Sequence, residues 1–213
     1  MKLFLIGANG RTGRRIIELG LARGHEITAF VRSPEKLAPQ GGLKIIAGDP
    51  LRAESIAPAL RGHDAVLSAL GPHPGEAFRP STLVVDCARA TVQAMSEAGV
   101  SRLAIVSAAV LFPEKALYIQ FFQWLLKHHA RDLAAMEQVL GESDLQWTIA
   151  RPPRLTDSAN PSFIAATDAL PPGSRSMSYR AVAAFLLDAV EHGVHIGEIV
   201  GLGQGVAHAT RAA

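Results

Sequence analysis

Cysteine is nearly absent from this chain. Cys87 stands alone, so no intrachain disulfide can form and the fold must be held by its core. It falls inside a predicted helix, where a small apolar side chain serves packing, and a lone thiol fits a reducing cytoplasm. An excess of one charge is lacking as well: 21 Lys and Arg face 19 Asp and Glu, for a formal net charge of +2. That balance offers no basic field for a nucleic acid. The longest apolar run beyond the N-terminus, residues 116–126, covers eleven positions and contains Gln120 and Gln123. Roughly 20 apolar residues are needed to cross a bilayer, so no membrane span is expected. The apolar start is cut short by glycines at Gly7, Gly10 and Gly13 with no small-residue cleavage site after it, and it reads as a first strand, not a secretory leader.

Several catalytic signatures are missing too. There is no Gly-x-Ser-x-Gly elbow and no lysine-bearing phosphate loop. The paired His128 and His129 face different directions on a helical stretch, and His192 and His195 straddle Gly193, so neither pair has the spacing of a metal site. The two tyrosines, Tyr118 and Tyr179, are followed four residues later by Phe122 and Ala183. The tyrosine–lysine pair with which typical short-chain dehydrogenases protonate a carbonyl is therefore not available.

What is present is a regular alternation of apolar strand runs with helix-like runs. Strands are predicted at 2–6, 26–31, 44–47, 65–69, 102–107 and 146–150, with helices opening at Arg11, Glu54 and Ser81 and a long helix ending at Gly141. Alternation of this kind predicts a Rossmann-like, doubly wound parallel sheet with helices on both faces. The strands are almost continuous Val, Ile, Leu and Ala, as strands covered on both sides require. No repeat or low-complexity linker interrupts the 213 residues, which read as a single domain. Residues 151–205 are richer in Pro, Ser and Asp at first and then predict a helix capped by Ser178 and a short edge strand at 198–202; they form a small substrate-side lobe. From Val206 onward the chain reads as frayed.

The first strand runs directly into Gly7-Ala-Asn-Gly10-Arg-Thr-Gly13. Gly7 suits a tight turn, Gly10 a close approach of backbone to phosphate, and Gly13 close packing of helix on strand. Asn9, Arg11 and Thr12 lie in the turn and helix start, within reach of the phosphates. The second strand ends in Val31-Arg32-Ser33-Pro34, with no acid at the position that usually accepts from the ribose hydroxyls. Arg32, with Ser33 beside it, can pair with a 2′-phosphate, which favours NADP(H) over NAD(H); alternatively Arg32 stacks on adenine alone. Later strand ends supply Gly48-Asp49 and Ala69-Leu70-Gly71. Asp49 either accepts from the adenine amino group or caps the following helix, while Leu70 and Gly71 let the backbone pass the pyrophosphate or ribose.

These motifs, together with Ser107-Ala108 after the fifth strand, Leu145-Gln-Trp-Thr-Ile-Ala-Arg-Pro-Pro153 and Arg180-Ala-Val-Ala-Ala-Phe185, resemble the atypical short-chain dehydrogenase/reductases of the NmrA-like group. The likeness is greatest to the flavin reductase/biliverdin reductase B type and extends over nearly the whole chain. It implies a Rossmann domain that binds NADPH in an extended pose and delivers hydride to a flat, conjugated acceptor. Relatives place a serine at the position of Ser107, facing the nicotinamide and substrate, and close over the carboxamide with backbone at Pro152 and Pro153. Many also use a backbone N–H after the aspartate to hold adenine. Here that residue is Pro50, which has no such donor, and the contact passes to Asp49 or Leu51.

The resemblance and the missing tyrosine–lysine pair together favour an NADPH-dependent reductase of flavins, quinones or tetrapyrroles, in which binding and orientation do most of the catalysis. Ser107 either orients the acceptor or simply satisfies a loop carbonyl. Phe112, Tyr118, Phe122 and Trp124 form either a wall for a planar ligand or the face of a packed or dimeric helix. Arg154 attracts an acidic substrate group or remains a surface arginine. Competing readings are a non-catalytic NmrA-like sensor of NADP(H) and a nucleotide-sugar-type epimerase. Partners expected are a small planar substrate, no nucleic acid and no membrane, with the chain a monomer or homodimer.

Overall fold

The computed structural model describes residues 1–72, 75, 78–113 and 126–206. In chain order the elements are β1 (Lys2–Ile6), α1 (Arg11–Ala22), β2 (Glu26–Val31), β3 (Leu43–Ala47), α2 (Ala53–Leu60), β4 (Ala65–Ser68), α3 (Leu83–Ala98) and β5 (Arg102–Val106). There follow α4 (Lys127–Gly141), β6 (Gln146–Arg151), β7 (Arg154–Thr156), β8 (Phe163–Thr167), β9 (Ser176–Ser178), α5 (Tyr179–His192) and β10 (Glu198–Gln204). Among the described residues, eight strands form one sheet in the order β3-β2-β1-β4-β5-β6-β10-β8, in which only the β10–β8 pairing is antiparallel. The doubly wound parallel sheet expected from the alternation is the fold observed.

Because successive side chains of a strand point to opposite faces, β1 divides itself between two cores. Leu3 and Leu5 pack with Ile16 of α1 and Phe185 and Leu186 of α5. Phe4 and Ile6 pack on the other face with Ile56 of α2, Met95 of α3 and Met136 of α4. Cys87 is buried on α3 within this second core, and burial pushes its thiol pKa up to about 12. Both faces of the central strands are thereby covered, which explains why their sequences show no polar alternation.

The chain leaves β3 on one side of β1 and returns through α2 to β4 on the other. This reversal opens a crevice at the carboxyl ends of β1 and β4, where open α/β sheets bind ligands.

One expectation needs correcting. The strand predicted at 198–202 as an edge runs longer and sits inside the sheet, between β6 and β8. Sheet packing explains it: Val200 and Leu202 are fully buried, and a Cβ on Gly201 would lie 2.0 Å from the Ala169 carbonyl oxygen. The short β8, with Ile164, Ala165 and Thr167 exposed, takes the edge instead. Ser178 does cap α5, its hydroxyl accepting from the Ala181 N–H at 2.8 Å. Among the described residues, no helix is long and apolar enough to cross a membrane.

Candidate functional site

The glycine turn is dictated by backbone crowding. Gly7 has φ +83°, and a Cβ on it would come within 2.6 Å of the Ala69 backbone at the end of β4. A Cβ on Gly13 would lie 2.3 Å from the Gly7 carbonyl oxygen. Gly10 donates its N–H to that same oxygen at 3.0 Å and forms the N-cap of α1. Among the described residues no side chain caps this end, and no acid lies in its first turn. The amides and the positive dipole end of a twelve-residue helix therefore face the crevice unscreened.

A cavity of about 660 Å³ occupies the crevice, a size suited to a ligand. Arg32, Ser33 and Lys36 line one end, the loops Gly7–Thr12 and Ala69–Pro72 the middle, and Val106, Ser107, His129 and Leu133 the other end, with Leu155 and Tyr179 alongside. Of the predicted cofactor residues, the structure thus gathers Gly7, Asn9, Gly10, Arg11, Thr12, Arg32, Ser33, Leu70 and Gly71, with Gly13 beneath the turn and Ser107 at the far end.

Others lie elsewhere. Asp49 and Leu51 do not line this cavity: the Asp49 carboxylate accepts from the Leu51 N–H at 3.0 Å, closing a local turn around Pro50. Pro152 and Pro153 are also outside the lining, Pro152 accepting from the Ala109 N–H with its carbonyl. Phe112 is buried under Arg151, and Arg154 is exposed on β7, paired in register with Ser176. Tyr118, Phe122 and Trp124 lie outside the described residues.

Observations in the wall fit a dinucleotide. Asn9 donates its amide to the Ser33 carbonyl at 3.0 Å, leaving Oδ1 buried without a partner among the described residues. That orphaned acceptor suits a ribose hydroxyl. A Cβ on Gly71 would meet nothing within 4 Å, so the backbone there borders open cavity. Arg11 spans the opening: its Nη1 donates to the Tyr179 hydroxyl at 3.2 Å, and its guanidinium lies 5.3 Å from the centre of that ring.

Three residues were not legible as a unit in the sequence. Ser107 donates its hydroxyl to Glu137 Oε1 at 2.6 Å, and Arg151 donates Nε to the same oxygen at 3.0 Å and Nη2 to Oε2 at 2.5 Å. The Arg151 guanidinium in turn lies 4.7 Å from the centre of the Phe112 ring. This chain of contacts ties the end of β5 to α4 and the end of β6.

His129 and Leu133, one helical turn apart on α4, bring an imidazole and an aliphatic side chain to the cavity lining. Burial lowers the His129 pKa from 6.5, opposed by the nearby Asp132. Asp132 itself is buried and accepts from the Val84 and Val85 N–H groups at the start of α3. Among the described residues, Asp188, Glu191 and His192 have ligand atoms close enough to share a metal, but Arg23 Nη1 already bonds Asp188 at 2.7 Å and Glu191 at 2.9 Å.

Comparison with known proteins agrees with this geometry. A family model described as NAD(P)H-binding matches residues 7–193. The chain is 30% identical to the uncharacterised protein YwnB of Bacillus subtilis, over 93% of this chain and 96% of that one. It is also 30% identical to YhfK of the same organism, named as an uncharacterised sugar epimerase, over 81% of each. Among solved structures, SP1627 of Streptococcus pneumoniae, a candidate NADH-flavin reductase, superposes with a TM-score of 0.76 at 27% identity, covering 96% of this chain and all of that one.

Proposed function

The chain belongs to the NAD(P)H-binding family, and on that premise we propose that it is an NADPH-dependent oxidoreductase that delivers hydride to a flat, conjugated acceptor. The observation that carries this reading is the polarity of the cavity, with cationic Arg32 and Lys36 at one end, an uncapped helix N-terminus in the middle and Ser107 at the other.

Each part has a separate task. Arg32, Lys36 and Ser33 line one end of the cavity, and a guanidinium fork and an ammonium there would pair with a ribose 2′-phosphate and favour NADP(H) over NAD(H). The α1 amides and Gly71 hold the pyrophosphate, and Asn9 Oδ1 accepts from a ribose hydroxyl. A bound nicotinamide supplies the hydride. Ser107 borders the far end and orients the acceptor, with Leu133 and Leu155 providing apolar surface beside it.

Hydride and one proton convert the acceptor to its reduced form. A conjugated acceptor spreads the developing charge, so the proton can come from water reaching the cavity, and no tyrosine–lysine pair is required. That absence weighs against ketone–alcohol and epimerase chemistry.

The test follows NADPH absorbance at saturating cofactor with flavins, quinones and tetrapyrroles as acceptors. Turnover with at least one class is expected. Tight NADPH binding with no turnover on any of them overturns the reductase reading in favour of cofactor sensing.

A further inference from the structure

We infer that Glu137 is a positioning residue that fixes the polarity of Ser107, and that the acceptor bound there presents a ring N–H to the serine oxygen, not a carbonyl. The inference rests on the reductase reading for the identity of the ligand, and on hydrogen-bond arithmetic for its direction.

A serine hydroxyl has one proton. Ser107 is buried, and its proton is directed to Glu137 Oε1 at 2.6 Å. Glu137 cannot return one, because its two oxygens accept two N–H groups from Arg151 and a carboxylate so paired acts as acceptor only. Arg151 is held in turn against the Phe112 ring. Toward the cavity that Ser107 lines, its oxygen can therefore only accept, and donation to an anion strengthens it as an acceptor.

A ligand carbonyl placed against that oxygen would set two acceptors face to face in a buried site, whereas an N–H would be satisfied. Discrimination of this kind is large because the mismatched group is left unpaired away from water. The substrate class narrows accordingly to flat heterocycles that carry an imide, lactam or pyrrole N–H. Quinones, which offer only carbonyl oxygens, are disfavoured.

The experiment measures binding, not turnover, in the presence of oxidised NADP⁺, using quenching of flavin fluorescence. The two probes are lumiflavin, which has a ring imide N–H, and its N3-methyl derivative, which lacks it. Wild type should bind lumiflavin roughly tenfold more tightly, the worth of about one net hydrogen bond. In Ser107→Ala the preference should disappear. In Glu137→Gln, Arg151 claims the amide oxygen, the amide NH₂ donates to Ser107, and the serine proton turns into the cavity; the preference should then vanish or reverse. Circular dichroism melts establish that this variant is folded, and Ser107→Ala supplies an independent reading if it is not. Equal binding of the two probes to wild type, no binding of either, or an unchanged preference in folded Glu137→Gln overturns the inference. Discrimination without any NADPH oxidation would instead sink the reductase reading and leave the assignment of Ser107 and Glu137 standing.

Discussion

A methyl group on Gly13 would lie 2.3 Å from the carbonyl oxygen of Gly7 and 2.7 Å from Cα of Ala8, so the first helix and the first strand meet with no room for a side chain. The opposing atoms are backbone and cannot turn aside. Gly13→Ala should destabilise the fold by about 1–3 kcal/mol and displace the α1 amides, weakening NADPH binding more than the stability loss alone implies. Calorimetry paired with a cofactor titration checks this. A variant with native affinity would show that the strand and helix can separate without cost to the site.

Arg32 lies at the basic end of the cavity with Lys36, which follows the end of β2 by five residues. Arg32→Ala should weaken NADPH binding about 10- to 100-fold, the worth of a charge-assisted contact, and leave NADH nearly unaffected. Lys36→Ala should act in the same direction and less. Equal losses for the two cofactors would remove the 2′-phosphate from this end.

The ion pair of Arg151 with Glu137 is well shielded, the side chains being 13% and 8% exposed. Arg151→Met strands the carboxylate and should cost about 3–5 kcal/mol, lowering the melting temperature by roughly 6–20 °C for a chain of this size. A fall of only a degree or two would mean that water reaches Glu137 freely.

Burial holds the His129 pKa below 6.5 in the folded chain. The unfolded chain then binds more protons than the folded one as pH falls through 6.5, so this contribution to stability is intact above that pH and is lost below it. His129→Gln should flatten the stability profile on the acid side of 6.5 and leave it unchanged above pH 7.5. Urea melts across pH 5–8 provide the measurement; parallel profiles for variant and wild type would remove His129 as the cause.

Cys87 is 3% exposed, with its thiol pKa pushed up to about 12 by burial. It should resist a thiol reagent at pH 8 in the native protein and react fully in denaturant, and the native rate should follow unfolding when temperature is raised. Rapid modification of folded protein would place the thiol at the surface.

Local signals made much of this legible. The glycine spacing, the apolar strand runs, Arg32 in place of an acid and Ser178 before the last helix each act over a few residues, and each is found where the sequence places it. Asp49 shows how a local signal can be read both ways, since an aspartate before Pro50 also closes its own turn, and here it does. The position of β10 was not legible, because which strand takes an edge depends on what pairs beyond it, and β8 was hidden in a stretch dominated by Pro and Ser.

The sequence by itself determined the doubly wound sheet, the glycine turn and the basic strand end, because hydrophobic period, turn chemistry and charge are properties of neighbouring residues. Only the tertiary structure decided how Ser107 is used. Its partner Glu137 lies 30 residues away on α4, and Arg151 lies 14 beyond that on β6. No periodicity links the three. They meet because α4 packs across the sheet and parallel pairing sets the ends of β5 and β6 side by side, and it is this meeting that commits the serine proton and leaves its oxygen as an acceptor.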